Sequence, residues 1–202
     1  VNLYYERTKR ILDILLSGAA IVMLLPIWLL IALLIKIDSK GPVLHKRKVV
    51  GKGGKEFNAL KFRTMVANAD EILNNDSSLR EKFCSNFKLE NDNRITRIGT
   101  LLRKTSFDEI PQFFNVLLGQ MSLVGPRMIV SEELGKYKEY AEERLMVKPG
   151  ISGLWQVSGR SRLSYKERVR LDLYYIDNRS LKLDLKILLK TIPAVLKGDG
   201  AC

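Results

Sequence analysis

Apolar positions are distributed very unevenly along this chain. From Ile14 through Ile35, 22 consecutive residues carry no charge, bounded by Asp13 and Lys36. As a helix such a run measures roughly 33 Å, about the thickness of the hydrocarbon core of a bilayer. It is too long for a signal-peptide core, and no small-residue cleavage site follows it. Pro26 lies near its middle, where the ring removes a backbone donor and clashes with the preceding turn. Arg7, Lys9 and Arg10 precede the run, and Lys36, Lys40, Lys46, Arg47 and Lys48 follow it. Positive charge on both sides satisfies the positive-inside tendency in neither orientation. A helix that bends at Pro26 and returns to the face it entered puts both basic flanks on the anionic cytoplasmic leaflet. The pattern therefore predicts a re-entrant membrane helix-hairpin over about residues 11–36, with Pro26 as the kink and a plain single span as the competing form.

The rest of the chain reads as short elements. Val43–Val50 and Lys55–Phe62 predict two strands around the turn Gly51-Lys-Gly-Gly54, a small basic β-hairpin. That turn either cradles phosphate or, more simply, reverses the chain. Neither GxxxxGK[ST] nor GxGxxG occurs. Residues 67 to about 89 are polar and Asn-rich and predict a surface helix pair. A short apolar helix starts at Glu109 or Pro111 and ends at Leu118, and amphipathic helices are predicted over Ser131–Val147 and Tyr165–Asp177. Leu181–Leu196 carries Leu181, Leu185, Leu188, Leu189, Ile192, Val195 and Leu196 on one side and lysines opposite, the pattern of a core helix or of one lying in a membrane interface. No repeat or linker appears. The expected fold is α+β and mostly helical, one domain over 1–202, with the membrane segment at its N-terminus and amphipathic interfacial helices.

Composition narrows the partners. Among 202 residues, 28% charged and 46% hydrophobic exclude disorder as the overall description. The net charge of +12 points to a polyanion: nucleic acid, anionic lipid or a phosphorylated substrate. Residues 36–63 hold nine bases against Asp38 and Glu56, more than half of that excess. Cys84 and Cys202 form no CxxC pair, and the single histidine, His45, leaves no His/Cys zinc site.

The densest chemistry is Arg94-Ile-Thr-Arg-Ile-Gly-Thr-Leu-Leu-Arg-Lys-Thr-Ser-Phe-Asp-Glu-Ile-Pro-Gln112. Asp108 and Glu109 follow a basic stretch holding Arg94, Arg97, Arg103 and Lys104. A capping box, Ser106-x-x-Glu109, would make Glu109 a helix cap. Pro111 weakens that reading, because at the fifth position of such a helix its missing N–H costs a bond; a helix starting nearer Pro111 is easier to build. A carboxylate beside phosphate is unfavourable unless cations intervene. An acidic pair ringed by arginines therefore suggests one carboxylate holding Mg²⁺ and another acting on phosphorus. Arg127 in Gly125-Pro-Arg127 and Arg160 in Gly159-Arg160 suit bidentate phosphate recognition. With a membrane segment, the set points to phosphoryl transfer at the bilayer surface.

Four blocks carry a more specific likeness: Lys61-Phe-Arg-Thr-Met65, Arg103-Lys-Thr-Ser-Phe-Asp-Glu-Ile-Pro-Gln112, Asn115-Val-Leu-Leu-Gly-Gln-Met-Ser-Leu-Val-Gly-Pro-Arg127 and Lys148-Pro-Gly-Ile-Ser-Gly-Leu-Trp-Gln-Val-Ser-Gly-Arg160. In this order they resemble the bacterial sugar transferase family, the monotopic polyprenyl-phosphate phosphoglycosyl transferases. The last block and Asp199-Gly-Ala are most similar to undecaprenyl-phosphate galactose phosphotransferases. The resemblance implies a two-step exchange in which Asp108 attacks the β-phosphorus of a UDP-sugar, UDP-galactose or UDP-glucose, and releases UMP. Undecaprenyl phosphate then takes the phosphosugar from the aspartate. It further implies Glu109 as the Mg²⁺ ligand and Lys61, Arg103, Arg127 and Arg160 as phosphate- or nucleotide-contacting bases. It places the protein on the cytoplasmic face of the bacterial inner membrane, initiating exopolysaccharide, capsule or O-antigen assembly, with no nucleic-acid partner and a homodimer left open. Two positions depart from the family pattern: Leu25 precedes Pro26 where Ser is common, and Met128 replaces a second proline after Arg127. The rival readings are a membrane-anchored basic module binding anionic lipid or nucleic acid, and a metal-dependent phosphatase at the membrane surface.

Overall fold

The computed structural model describes residues 3–77, 80–81 and 92–197. Helix α1 (Leu3–Asp38) runs for 36 residues, with Pro26 inside it rather than at its end. It is the one helix among the described residues long and apolar enough to cross a membrane. Where the sequence predicts two arms, the backbone forms a single helical element. Its body-facing residues, Asp13, Ser17, Leu24, Trp28, Ile31 and Ile35, recur every three to seven positions and so share one face. The opposite face exposes Leu15, Val22, Met23, Leu29, Leu30 and Leu33.

Both ends of α1 are tied to the body. Near its start, Asp184 accepts hydrogen bonds from Tyr5 (3.0 Å), Lys9 (2.7 Å) and Tyr175 (2.8 Å). Asp13 accepts from the Ser122 hydroxyl and the Leu123 amide at 3.1 and 2.9 Å. At its finish, Asp38 accepts from the Ile98 amide at 3.1 Å, while Arg63 donates to the carbonyls of Ser39 and Lys40. Between the ends, Trp28 meets Phe62 and Phe114 edge-on, with centroids 5.8 and 5.1 Å apart.

Strands β1 (Leu44–Val50) and β2 (Glu56–Phe62) form the expected antiparallel hairpin, with His45 opposite Lys61. Helix α2 (Ala69–Asn75) occupies part of the predicted 67–89 pair; residues 78–79 and 82–89 of that stretch lie outside the described residues. Helix α3 (Arg97–Thr105) begins where the Thr96 hydroxyl accepts the Gly99 amide. Gly99 sits where a Cβ would lie 2.0 Å from the Thr64 carbonyl oxygen, so only glycine lets α3 approach the end of β2 this closely.

Helix α4 (Gln112–Leu117) opens after Pro111, and β3 (Ser122–Val124) pairs in parallel with β4 (Gly150–Ser152). At that pairing Gly150 lies against Gly125, where a Cβ would come within 2.1 Å of the Gly125 nitrogen. The predicted helix over Ser131–Val147 is instead broken into α5 (Ser131–Leu134), a 3-10 stretch over Gly135–Tyr140 and α6 (Ala141–Leu145). Lys138 has φ 52° there, and buried Tyr137 turns inward to donate to Asp172 at 2.7 Å. A buried tertiary bond thus overrides local amphipathic periodicity.

Helix α7 (Tyr165–Asn178) matches its prediction and starts with a Ser164/Glu167 capping box. Helix α8 (Leu181–Lys197) has two apolar sides. Ile187 is fully buried, whereas Leu185, Leu189 and Ile192 form an exposed stripe. The main core joins Val49, Ala59, Val116, Met121, Tyr175 and Ile187 from the hairpin, α4, α7 and α8; a second joins Ile31 and Ile35 of α1 to Phe62, Leu102 and Ile110.

Candidate active site

The acidic pair sits on the bend between α3 and α4. Ser106 ends α3 in the left-handed conformation (φ 58°, ψ 17°), and its amide closes onto the carbonyls of Leu102 and Arg103. One 3-10 turn, Phe107–Glu109, follows before Pro111 opens α4. Ser106 makes no side-chain cap bond, so the capping box is not formed and Glu109 is released for another partner.

That partner comes from β2. The Lys61 ammonium lies 2.7 Å from Glu109 Oε1 and 3.5 Å from Asp108 Oδ2. Buried Asn115 of α4 fixes the strand against the acidic turn. Its Oδ1 accepts the Leu60 amide at 2.9 Å, and its Nδ2 donates to the Asn58 carbonyl at 2.8 Å. Arg103, in the last turn of α3, donates through Nε to Thr64 Oγ1 at 2.9 Å and aims its charge at Asp108. Arg127 and Arg160 act on Glu109 through their charges. Arg127 stacks over Trp155 with its guanidinium carbon 5.7 Å from the ring centre, and Arg168 covers the same ring at 4.9 Å. Arg160 donates to the Gln156 carbonyl at 3.1 Å.

The structure thus brings Lys61, Asp108 and Glu109 into contact and places Arg103, Arg127 and Arg160 within electrostatic reach. Pro26 stands apart, exposed on α1. Burial raises the Asp108 carboxyl above the ordinary range, and the neighbouring Glu109 charge adds to the rise against Lys61 and Arg103. Burial also opposes ionisation of Glu109, but Lys61, Arg127 and Arg160 outweigh it and hold that carboxyl low. Two adjacent carboxyls are therefore pushed apart in acidity, the signature of divided roles.

Sequence reasoning passed over several contributors. Arg47 of β1 lies 4.0 Å from Glu133 and has its own acidity shifted by burial and by the charges of Arg127 and Arg103 against that of Glu133. Its signal was positional: it lies two residues from His45, the cross-strand partner of Lys61. Asn115 and Trp155 lie inside the quoted blocks but carry no charge to draw attention. Beneath Arg127, fully buried Arg144 donates to its carbonyl at 2.7 Å.

No cluster of three or more His, Cys, Asp or Glu able to hold a metal occurs among the described residues. The donor set nevertheless suits Mg²⁺, which takes one or two carboxylates and completes its shell with water and substrate phosphate oxygens. The Lys61 ammonium already shows that the pair accepts a cation between its oxygens.

The site is an acidic pair, Asp108 buried and Glu109 half-buried, within electrostatic reach of several guanidinium groups, in a chain whose long apolar helix is compatible with a membrane anchor. The model of the family described as bacterial sugar transferase matches residues 4–198, and the chain belongs to that family. It is 48% identical over 197 residues to an uncharacterized sugar transferase of Haemophilus influenzae, covering 96% of this chain and 42% of that protein. It is 46% identical over 198 residues to a UDP-galactose-lipid carrier transferase of Erwinia amylovora, covering 96% and 41%. It is 41% identical over 198 residues to the exopolysaccharide production protein ExoY of Sinorhizobium fredii, covering 96% and 88%. The chain thus spans about two fifths of the first two relatives and most of the third.

Proposed function

We propose that this chain transfers a hexose-1-phosphate from a UDP-sugar to undecaprenyl phosphate on the cytoplasmic face of the bacterial inner membrane, as a first step of surface-polysaccharide assembly. The names of the Erwinia relative and of an undecaprenyl-phosphate galactose phosphotransferase of Salmonella typhimurium, 46% identical over 197 residues, favour UDP-galactose as donor. The observation that carries the proposal is the buried Asp108-Glu109 pair held against Lys61.

Asp108 is the nucleophile. Its carboxylate oxygen attacks the β-phosphorus of the donor, the bond from that phosphorus to the bridging oxygen breaks, and UMP departs. An aspartyl-phosphosugar remains. A phosphate oxygen of undecaprenyl phosphate then attacks the same phosphorus and releases the carboxylate. An acyl phosphate conserves the energy of the diphosphate through both steps. The raised Asp108 pKa gives its ionised form greater basicity than an ordinary carboxylate. Lys61, Arg103, Arg127, Arg160 and Arg47 bind and neutralise the phosphate oxygens, the main catalytic task in phosphoryl transfer. Glu109 would hold Mg²⁺, which supplies charge neutralisation on the diphosphate.

Helix α1 enters and leaves the bilayer on one side. Polar bonds tie both of its ends to one body, through Asp184 at the start and Ile98 at the finish. Ends fastened to one body favour that arrangement over a plain crossing span. The exposed apolar face of α1 and the stripe Leu185, Leu189 and Ile192 supply the lipid-facing surface.

The test is UMP release from UDP-galactose with and without undecaprenyl phosphate, read together with intact mass. Acceptor-dependent turnover and a phosphohexose adduct on wild type, both absent from Asp108→Asn, are expected. Turnover independent of the lipid points to a hydrolase instead, and an adduct on Asp108→Asn removes Asp108 from the mechanism.

A further inference from the structure

A second charged cavity lies at the other end of the molecule. It measures about 50 Å³ and is enclosed by the first turns of α1, the β1–β2 turn, the loop before β4 and the end of α7. In the hairpin, five residues separate Glu56 beside the turn from Lys61, about 17 Å of extended chain. Lys52 lies beyond Glu56 on that turn, so the cavity is distinct from the acidic pair.

Its charges do not cancel. Among its lining side chains, Lys9 is committed to Asp184 at 2.7 Å, and Arg179 faces Glu6 at 3.7 Å. Asp13 accepts only from the neutral Ser122 hydroxyl and Leu123 amide, so it offsets one charge. Arg10, Lys52 and Lys148 therefore leave a net excess of two positive charges, three less one, at the cavity. Arg10 donates only to neutral carbonyls, those of Val116 and Leu117 at 2.6 and 2.8 Å, so its charge persists. Arg10 and Lys148 converge: a Cβ built on Gly119 would lie 3.5 Å from an Arg10 nitrogen and 3.6 Å from Lys148 Nζ. Burial first, then the Arg10 charge and more weakly that of Lys52, lower the pKa of the Lys148 ammonium against opposing pulls from Asp13 and Glu6. Like charges gathered at a partly enclosed hollow lower their mutual repulsion by taking up an anion.

We propose that this cavity binds the phosphate oxyanion of an anionic phospholipid headgroup. The inference rests on reading α1 as inserted in the bilayer, because the uncharged run starts four residues after Arg10 and thereby sets the cavity at headgroup depth. Arg10 and Lys148 grip the phosphate from two sides and Lys52 closes over it from the hairpin turn. A lipid held there secures the first end of α1 without touching the catalytic pair.

The experiment titrates the full chain in detergent with phosphatidylglycerol, phosphatidylcholine or inorganic phosphate, read by native mass spectrometry. Phosphatidylglycerol is expected to bind in preference to phosphatidylcholine. The double variant Lys52→Ala/Lys148→Ala is expected to weaken it about thirtyfold, from the attraction that two basic residues supply near a headgroup. Lys52→Glu on the exposed turn checks the same site independently and should weaken it in the same direction. A charge-matched control, Lys40→Ala/Lys46→Ala, should change affinity less than about threefold, since those side chains lie outside the cavity. If inorganic phosphate binds as well and the same variants abolish it, the site takes the oxyanion from either source; if only lipid binds, the headgroup is the occupant. Equal losses in both double variants, or none in either, overturn the proposal. Flotation on phosphatidylcholine vesicles separates the two layers: a chain that does not float removes the α1 reading and this site with it. One that floats while the two double variants bind alike removes this site alone.

Discussion

Replacing Lys61 with methionine keeps most of the side-chain volume and removes a cation that touches both acids. At an effective dielectric of about 20, unit charges at the observed 2.7 and 3.5 Å attract by ~6 and ~5 kcal/mol before desolvation is subtracted. Breaking a buried ion pair from one side costs about 3–5 kcal/mol in practice. Much of that cost is escaped when the acidic pair takes up a proton, so the pKa of the pair should rise by about 2 units or more. The acidic limb of the UMP-release profile should then move up by about 2 pH units, with the activity lost on its acidic side partly regained in alkali. Stability supplies an independent readout. A carboxyl whose folded pKa exceeds its unfolded value is most stabilising below the unfolded value and loses that contribution as pH rises through the folded one. Urea unfolding should therefore show the variant falling further behind wild type from about pH 4 upward, until the raised pKa is passed. An acidic limb within about half a unit of wild type, with parallel stability curves, would refute the ion-pair account.

Three further outcomes are expected. Glu109→Gln should raise the Mg²⁺ concentration needed for half-maximal UMP release; an unchanged titration excludes Glu109 as a ligand. With Cys84 and Cys202 replaced by serine, single cysteines at Thr8 and Lys46 should both resist an impermeant maleimide in right-side-out vesicles and react after lysis, whereas labelling of one alone restores a simple span. Asp172, which burial pushes up to about 7, should cost wild type ~1.4 kcal/mol of stability per pH unit between its unfolded and folded values. Asp172→Asn, which keeps an acceptor for Tyr137, should flatten that slope in urea unfolding, and an unaltered slope would show that another group titrates there.

The strongest signals in the sequence were those whose local chemistry agrees with their surroundings. Pro111 shows where α4 starts because a missing N–H is a local fact, and the hairpin follows from alternating residues around a glycine-rich turn. The contact between Lys61 and the acidic pair has no local trace. It spans 48 positions and depends on Asn115 joining β2 to α4. The break at Lys138 was equally hidden, because what bends that segment is Asp172 reaching Tyr137 from another helix. Strands β3 and β4 are only three residues each, too short for alternation to register, and their pairing depends on two glycines meeting.

The two fastenings of α1 also act as a gauge of its length. An α-helix turns by 100° per residue, so a single residue inserted between Asp13 and Ile31 would rotate one fastening out of phase with the other. Either the bond to Leu123 or the seat of Ile31 and Ile35 would then be lost. Seven added residues nearly restore the phase but lengthen the rod by roughly 10 Å, more than a fixed body can accommodate. The stretch of body that this helix covers is therefore written in the residue count between its two clasps.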